Sequence, residues 1–375
     1  MSLMRLTKCI FLFLLVILLG TGCIPSHQQE HNKELSSMRE LLNDKKEVTP
    51  QFFGEEVVTP LQINEALFHS VADWKDNNTI LYILNNAHGS EVHTYNIHTG
   101  ETSLFYKSEF PILQVEANED HDMFLIHTSP SNYEAELVIV NEKADLLYTT
   151  RIESFELNYI WNHHKGDQLF ISSFKEDWTY DTYVLNVTNQ KMTKNQIHQP
   201  FIQWLDEKHV SYLKWDQEMP SLTAPLFVYN IENQSESLIA EHVVANTNFT
   251  DFLLTIELVD ANGDAAVRFY NNENKEQLME MPTRLVSLYS DWSVPYIDMD
   301  LNKDILYMLE VNEAKTEFSL VSFSTKTEEK NVLIQSIENL PIKLSPSGEY
   351  ALYGGRFEKI INLNKVSIEE LITFN

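Results

Sequence analysis

Short apolar cores return along most of this chain at intervals that hardly vary. They read Ile80-Leu81-Tyr82-Ile83, Met123-Phe124-Leu125-Ile126, Leu169-Phe170-Ile171, Val210-Ser211-Tyr212-Leu213, Phe252-Leu253-Leu254-Thr255, Ile305-Leu306-Tyr307-Met308 and Tyr350-Ala351-Leu352-Tyr353. Their first members are 43, 46, 41, 42, 53 and 45 residues apart. Before most cores stands an acidic, Asn-rich or Ser-Pro-Gly turn, such as Asp76-Asn77-Asn78, Glu119-Asp120-His121-Asp122, Asn302-Lys303-Asp304 or Ser345-Pro346-Ser347-Gly348. An alternating strand follows ten to fifteen residues later (Val92 to Ile97, Leu226 to Ile231), then a more polar one (Thr102 to Tyr106, Ser235 to Ile239). A four-strand unit of this kind has two apolar faces that it cannot cover alone, and radial stacking covers both. A period of about 40 to 50 residues is that of β-propeller blades. The pattern therefore predicts an all-β propeller over 61–375, of seven four-stranded blades with six as the alternative. Each apolar core should be the second strand from the channel. The 53-residue interval places a longer lead-in (Tyr289 to Ile297) before one core, and Lys365 to Thr373 beside Leu61 to Ala66 is expected to close the ring.

The first sixty residues differ. Arg5 and Lys8 precede an unbroken apolar run, Cys9 to Leu19, and then Gly20-Thr21-Gly22-Cys23. Eleven apolar residues are too few to span a bilayer but suit the hydrophobic region of a signal peptide. Small residues directly before a cysteine resemble the lipobox of bacterial lipoproteins, although Leu19 stands one position further from the thiol than is usual there. That resemblance implies a signal peptide over 1–22, removed by cleavage, and a diacylglyceryl and fatty-acyl (palmitate-type) anchor on Cys23. Residues 23–60 read as a polar tether holding one short amphipathic helix, Glu34 to Lys46, with Leu35, Met38, Leu41 and Leu42 on one side.

Composition narrows the partners. Lys and Arg number 27 against 55 Asp and Glu, a formal charge of −28. Such a surface repels phosphate backbones, so nucleic acid is excluded as a partner. The only other cysteine, Cys9, lies in the leader, which leaves no internal disulfide once Cys23 carries lipid. The fold must rest on its apolar core.

Catalytic signatures are missing: no G-x-S-x-G elbow, H-E-x-x-H pair, phosphate loop or dinucleotide fingerprint occurs. No cofactor is expected. Asp298 to Asp304 alternates oxygen side chains as a calcium loop does, but Lys303 stands where a calcium loop needs Gly. It reads as a turn, as does Asp260-Ala261-Asn262-Gly263-Asp264, and His163-His164 read as surface residues; no metal is expected. More suggestive are two aromatic-acidic loops after successive cores. One carries Asp177, Trp178, Tyr180 and Asp181, the other Trp215, Asp216 and Glu218. In a propeller such loops share one rim with the blade-to-blade connections. Exposed rings flanked by carboxylates suit sugars or cationic peptide groups.

Lipobox, polar tether and degenerate repeat together resemble the YqgU-like β-propeller lipoproteins of Bacillus and its relatives. The family is described as six-bladed, against seven apolar cores counted here. It implies an exported, membrane-anchored protein at the outer face of the cell membrane and transfers no catalytic residue. The expectation is a non-enzymatic binding or scaffold module for a protein, peptide or cell-wall ligand. The alternative is a surface enzyme that cleaves glycan or peptide at the channel mouth.

Overall fold

A computed structural model describes residues 57–375 apart from 196, 217, 219, 220 and 290. The apolar leader, Cys23, the tether and the Glu34–Lys46 helix expectation lie outside the described residues.

The described chain contains strands and no helix. After β1 (Leu61–Ile63) come β2 (Phe68–Trp74), β3 (Thr79–Asn86), β4 (Gly89–Asn96) and β5 (Thr102–Ser108), one antiparallel sheet in that order. The next sheet is β6 (Ile112–Ala117), β7 (Met123–Ser131), β8 (Glu134–Asn141) and β9 (Leu146–Glu153). A third is β10 (Glu156–Trp161), β11 (Gln168–Phe174), β12 (Tyr180–Asn186) and β13 (Lys191–Lys194). Seven strands form the fourth: β14 (Gln203–Trp204), β15 (His209–Leu213), β16 (Ala224–Asn230), β17 (Glu236–Asn248), β18 (Phe252–Leu258), β19 (Asp264–Asn271) and β20 (Gln277–Arg284). A hairpin, β21 (Val286–Leu288) and β22 (Asp291–Ser293), precedes β23 (Ile297–Asp300), β24 (Ile305–Val311), β25 (Phe318–Ser324) and β26 (Lys330–Ile337). The last sheet is β27 (Ile342–Leu344), β28 (Tyr350–Tyr353), β29 (Lys359–Asn362) and β30 (Ser367–Glu370), followed by β31 (Ile372–Phe374).

Six multi-stranded sheets result, five of four strands and one of seven. Two expected units are not separate there. The 13-residue β17 pairs with β16 as the outer strand of one meander, shifts register between Val243 and Ala245, and pairs with β18 as the inner strand of the next. The extra length of the 53-residue interval is the β21–β22 hairpin, which buries Trp292 in the neighbouring core.

Why the cores are apolar throughout follows from the two-residue strand period. On β3, Ile80 and Tyr82 face the last sheet and pack with Tyr350, Leu352 and Ile360, whereas Leu81 and Ile83 face the second sheet and meet Phe124 and Ile126. On β7 the alternation repeats, Leu125 turning to Leu169 and Ile171 of the third sheet. Each apolar core is thus the second strand of its meander, buried on both faces. First and last sheets share one hydrophobic cluster, and β1 pairs in parallel with β31 through Leu61 and Ile372. No helix of the described residues is long and apolar enough to cross a membrane.

Candidate functional site

Two faces carry concentrated side-chain chemistry. The first lies on the side of the loops that join the second and third strands of each meander, with the connections between sheets. Here Tyr133, Phe155, Trp178, Phe174 and Phe201 run in a row of tilted, edge-to-face and stacked contacts, with centroids 6.4, 6.3, 6.1 and 5.5 Å apart in succession. Tyr180 packs on Phe174 at 5.6 Å. Phe174 is buried beneath, while Tyr133 (55%), Phe155 (48%), Trp178 (60%) and Phe201 (61%) stand exposed. Trp178 holds φ near +63°, a left-handed backbone that bulky residues adopt only when the surrounding structure enforces it.

The acidic partners expected on this rim are partly committed. Asp177 Oδ1 accepts the N–H and hydroxyl of Thr179, at 3.0 and 2.6 Å, which holds its carboxyl below the usual range. Asp181 pairs with Lys194 at 2.6 Å and is held low by that contact. Asp216 Oδ1 accepts the Glu218 N–H at 2.8 Å within the β15–β16 loop. Tyr180 donates its hydroxyl to the His198 carbonyl. Trp215 is exposed on that loop, and among the described residues no ring joins it to the cluster. Beside Tyr133 and Phe155 lies a pocket of about 360 Å³ lined also by Glu153, Ser154, Lys175, Glu176 and Asp177. Phe155 and Phe201 were not singled out from the sequence, although both sit in connections between sheets, where an aromatic has no strand-packing role.

The second face is the channel at the end formed by the turns between first and second strands. Its cavity of about 640 Å³ is lined from β2, β6, β10, β17, β23 and β27 and the turns after them. Equivalent register on the inner strands is occupied in turn by Asp73, Glu116, Ile160, Gln203, Thr247, Asp298 and Lys343, paired with Leu81, Leu125, Phe170, Ser211, Leu254, Tyr307 and Leu352. One residue further on, Trp74, Trp161 and Trp204 turn away into the packing between sheets, where they are buried.

Charge on this ring is confined to one arc. Lys343 Nζ lies 2.6 Å from Asp73 Oδ2. Burial alone would lower the lysine, but Asp73 and Glu116 outweigh it and raise its affinity for the proton. Asp73 also accepts the N–H of Trp74 through Oδ1 and that of Ala117 through Oδ2, at 2.7 and 2.8 Å. Asp298 repeats the arrangement with Met299 and Leu344, at 2.8 and 2.7 Å, while burial pushes its carboxyl up. Burial pushes Glu116 up to about 7. At the mouth His163 Nδ1 meets Glu119 Oε2 at 2.9 Å, and that contact holds the glutamate low. His121 Nδ1 donates to the Trp74 carbonyl at 3.0 Å. His163 therefore lines the channel mouth rather than an open surface, a placement its sequence neighbours gave no sign of.

The calcium-like alternations are turns. Asp300 Oδ1 accepts the N–H groups of Asn302 and Lys303, and Lys303 pairs with Asp300 at 2.8 Å. Gly348 crosses this turn at φ near +64°, and a Cβ there would collide with Asp300 Oδ2. Asp260 Oδ1 likewise accepts the N–H groups of Asn262 and Asp264. Among the described residues no three His, Cys, Asp or Glu side chains are gathered as a metal ion needs.

Sheets of four antiparallel strands, stacked by both faces around a lined channel and closed by first and last strands, define a β-propeller. The sequence matches the family described as the YqgU-like 6-bladed beta propeller domain over residues 96–354, and the chain belongs to that family. It is 26% identical over 370 residues to the uncharacterized lipoprotein YqgU of Bacillus subtilis (strain 168), with 98% of each chain covered. The fold is similar to the crystal structure of uncharacterized protein lmo1340 from Listeria monocytogenes EGD-e. The TM-score is 0.78 at 18% identity, over 85% of this chain and 98% of that one. An oligogalacturonate lyase in complex with manganese is similar at a TM-score of 0.52 and 11% identity, over 77% and 86% of the two chains. These structural likenesses concern the fold alone.

Proposed function

We propose that this protein is a membrane-tethered, extracytoplasmic binding module that engages a protein or peptide of the cell envelope through its aromatic rim. The observation that carries the reading is the continuous row of rings from Tyr133 to Phe201, four of them exposed, spanning successive loops of one face. Exposed clusters of this kind are uncommon on soluble surfaces without a partner, and aromatic anchors dominate binding energy at interfaces. A diacylglyceryl anchor on Cys23 at the outer membrane face is supported by the small residues before the thiol and by the lipoprotein name of the Bacillus relative. We propose a ring of seven radial units, the fourth and fifth sharing β17, a reading supported by the seven apolar cores that each lie second in a meander, whereas the family description gives six blades.

A second reading, a surface enzyme, draws on the convergence of Asp73, Glu116 and Asp298 in the channel. Against it, two of these three carboxylates are each tied to the fold by two backbone N–H groups, one on each oxygen. The binding reading is tested with a photoreactive phenylalanine analogue at Phe201 in intact cells. Trp178→Ala should lower the yield of the crosslinked partner about tenfold, as loss of one aromatic anchor does. Thermal stability should change little, because Trp178 is largely exposed. An unchanged crosslink, or a variant that fails to fold, would remove the rim from the functional account.

A further inference from the structure

Beside the aromatic row lies a smaller pocket of about 280 Å³, between the starts of β6 and β10 and the β7–β8 loop. It shares Ser154 and Phe155 with the pocket next to Tyr133, but neither Trp178 nor Phe201 lines it. At its back stands His127 of β7, 8% exposed, its ring edge to face with Tyr159 at 5.7 Å. Burial lowers this histidine to about 4, so at neutral pH one ring nitrogen donates and the other accepts. Among the described residues neither nitrogen has a hydrogen-bond partner, and neither is sealed from the cavity.

Most other polar groups of the lining are spent within the fold. The Ser154 hydroxyl donates to the Glu156 carbonyl at 2.5 Å, and the Ser129 hydroxyl to the Ser131 carbonyl at 3.0 Å. The Gln114 amide donates to Glu116 at 3.2 Å, and Glu134 shares Arg151 with Glu136. What remains is an imidazole with both positions open, the exposed Glu156 carboxylate at the edge, and apolar surface from Leu113, Leu157 and Phe155. A buried donor and acceptor without partners are a demand for a ligand that brings an acceptor and a hydroxyl. A metal ion does not meet it, since no three ligating side chains are gathered among the described residues.

We propose that this pocket binds a neutral glycan through one N-acetylated amino-sugar residue, held by His127 and stacked on Phe155. The acetamido carbonyl takes the imidazole N–H, and its methyl group rests on Leu113 and Leu157. A ring hydroxyl donates to the other imidazole nitrogen, and another reaches Glu156. The exposed face of Phe155 covers the apolar face of the sugar, as aromatic rings do for ligands with one apolar and one polar side. The volume is that of a small ligand site and suits a single sugar unit. The site adjoins the aromatic row at Phe155 but does not rest on the protein-binding reading of that row.

The test is calorimetric titration of the full-length protein in neutral detergent with tri-N-acetylchitotriose, and with cellotriose, which lacks the acetamido groups, as the control. Expected are binding of the acetylated sugar at millimolar or lower concentration and about tenfold weaker binding of cellotriose. His127→Leu and Phe155→Ala should each weaken the acetylated sugar about tenfold, whereas His127→Gln, which keeps a donor and an acceptor, should lose less than His127→Leu. Trp178→Ala should leave the sugar affinity within about threefold, so that this site and the protein-binding reading fail separately. Absence of binding, equal binding of the two sugars, or affinity untouched by His127→Leu would each overturn the proposal. Loss of sugar binding in Trp178→Ala would also overturn it, by moving the glycan onto the row itself. Circular dichroism reports whether His127→Leu folds; if it does not, Phe155→Ala, a change at a half-exposed ring, decides the question in its place.

Discussion

Replacing Trp74 by Ala removes the largest side chain at the junction of the first and last sheets. Trp74 is fully buried, packs in the cluster shared by Val71, Ile80, Tyr350 and Leu352, and donates Nε1–H to the Lys343 carbonyl at 3.0 Å. Loss of a buried Trp to Ala costs about 3–5 kcal/mol in transfer and cavity terms. The lost hydrogen bond adds about 1 kcal/mol, softened because the freed carbonyl borders the channel. Against a total stability of roughly 5–15 kcal/mol, that is a large share. Trp74→Phe keeps most of the ring and should cost about 1–2 kcal/mol, from the smaller volume and the missing donor. Urea unfolding of the full chain, followed by far-ultraviolet circular dichroism, measures both. Hydrogen exchange adds position: amides of β27 to β29 should lose protection before those of β7 and β11, because the damage is at closure. A shift under about 1 kcal/mol for the Ala variant, or uniform loss of protection, would refute closure through this contact.

Burial lowers His127 from 6.5 to about 4, so it stays neutral in the fold while the unfolded chain takes up its proton. The stability it supports is complete above pH 6.5 and lost as pH falls toward 4, up to about 3 kcal/mol; His127→Gln should flatten that decline in pH-dependent unfolding, and an unchanged slope would count against it. Glu116 acts with the opposite sign, its raised pKa favouring the fold below about pH 4.5 and losing that advantage through pH 7, so Glu116→Gln should remove a stabilisation that grows on acidification. Cys23→Ala should leave the protein uncleaved or release it from the membrane, since stable residence takes two acyl signals; membrane fractionation with wild-type behaviour would dismiss the anchor.

The repeat was legible because each core strand is buried on both faces. A strand squeezed between two sheets is apolar at nearly every position, and Ile80 to Ile83 or Phe124 to Ile126 announce it without knowledge of a partner. The sharing of β17 was not legible, since nothing in the residues from Glu236 to Asn248 marks a change of role, which is a matter of register at Val243. On the rim, Trp178 and Tyr180 could be read from loop position; that Phe155 and Phe201 complete the row, while Trp215 stands apart, depends on how the connections fold back. The channel was invisible. Asp73 and Lys343 are 270 residues apart, each a lone charge in a strand, and only closure brings them together.

That closure also orders events in time. β1 finds its partner in β31, with Leu61 and Thr373 312 residues apart. Pairing at such separation is slow, and until it occurs the inward faces of the first sheet, including Ile80 and Tyr82, have nothing to pack against. A chain emerging amino end first would therefore hold its earliest strands as an open edge until Ile372 to Phe374 emerge. Proteases and chaperones would meet this protein mainly in that interval. Shortening the carboxyl end by a few residues would prolong the interval indefinitely, turning a minor trimming of sequence into a failure of quality control.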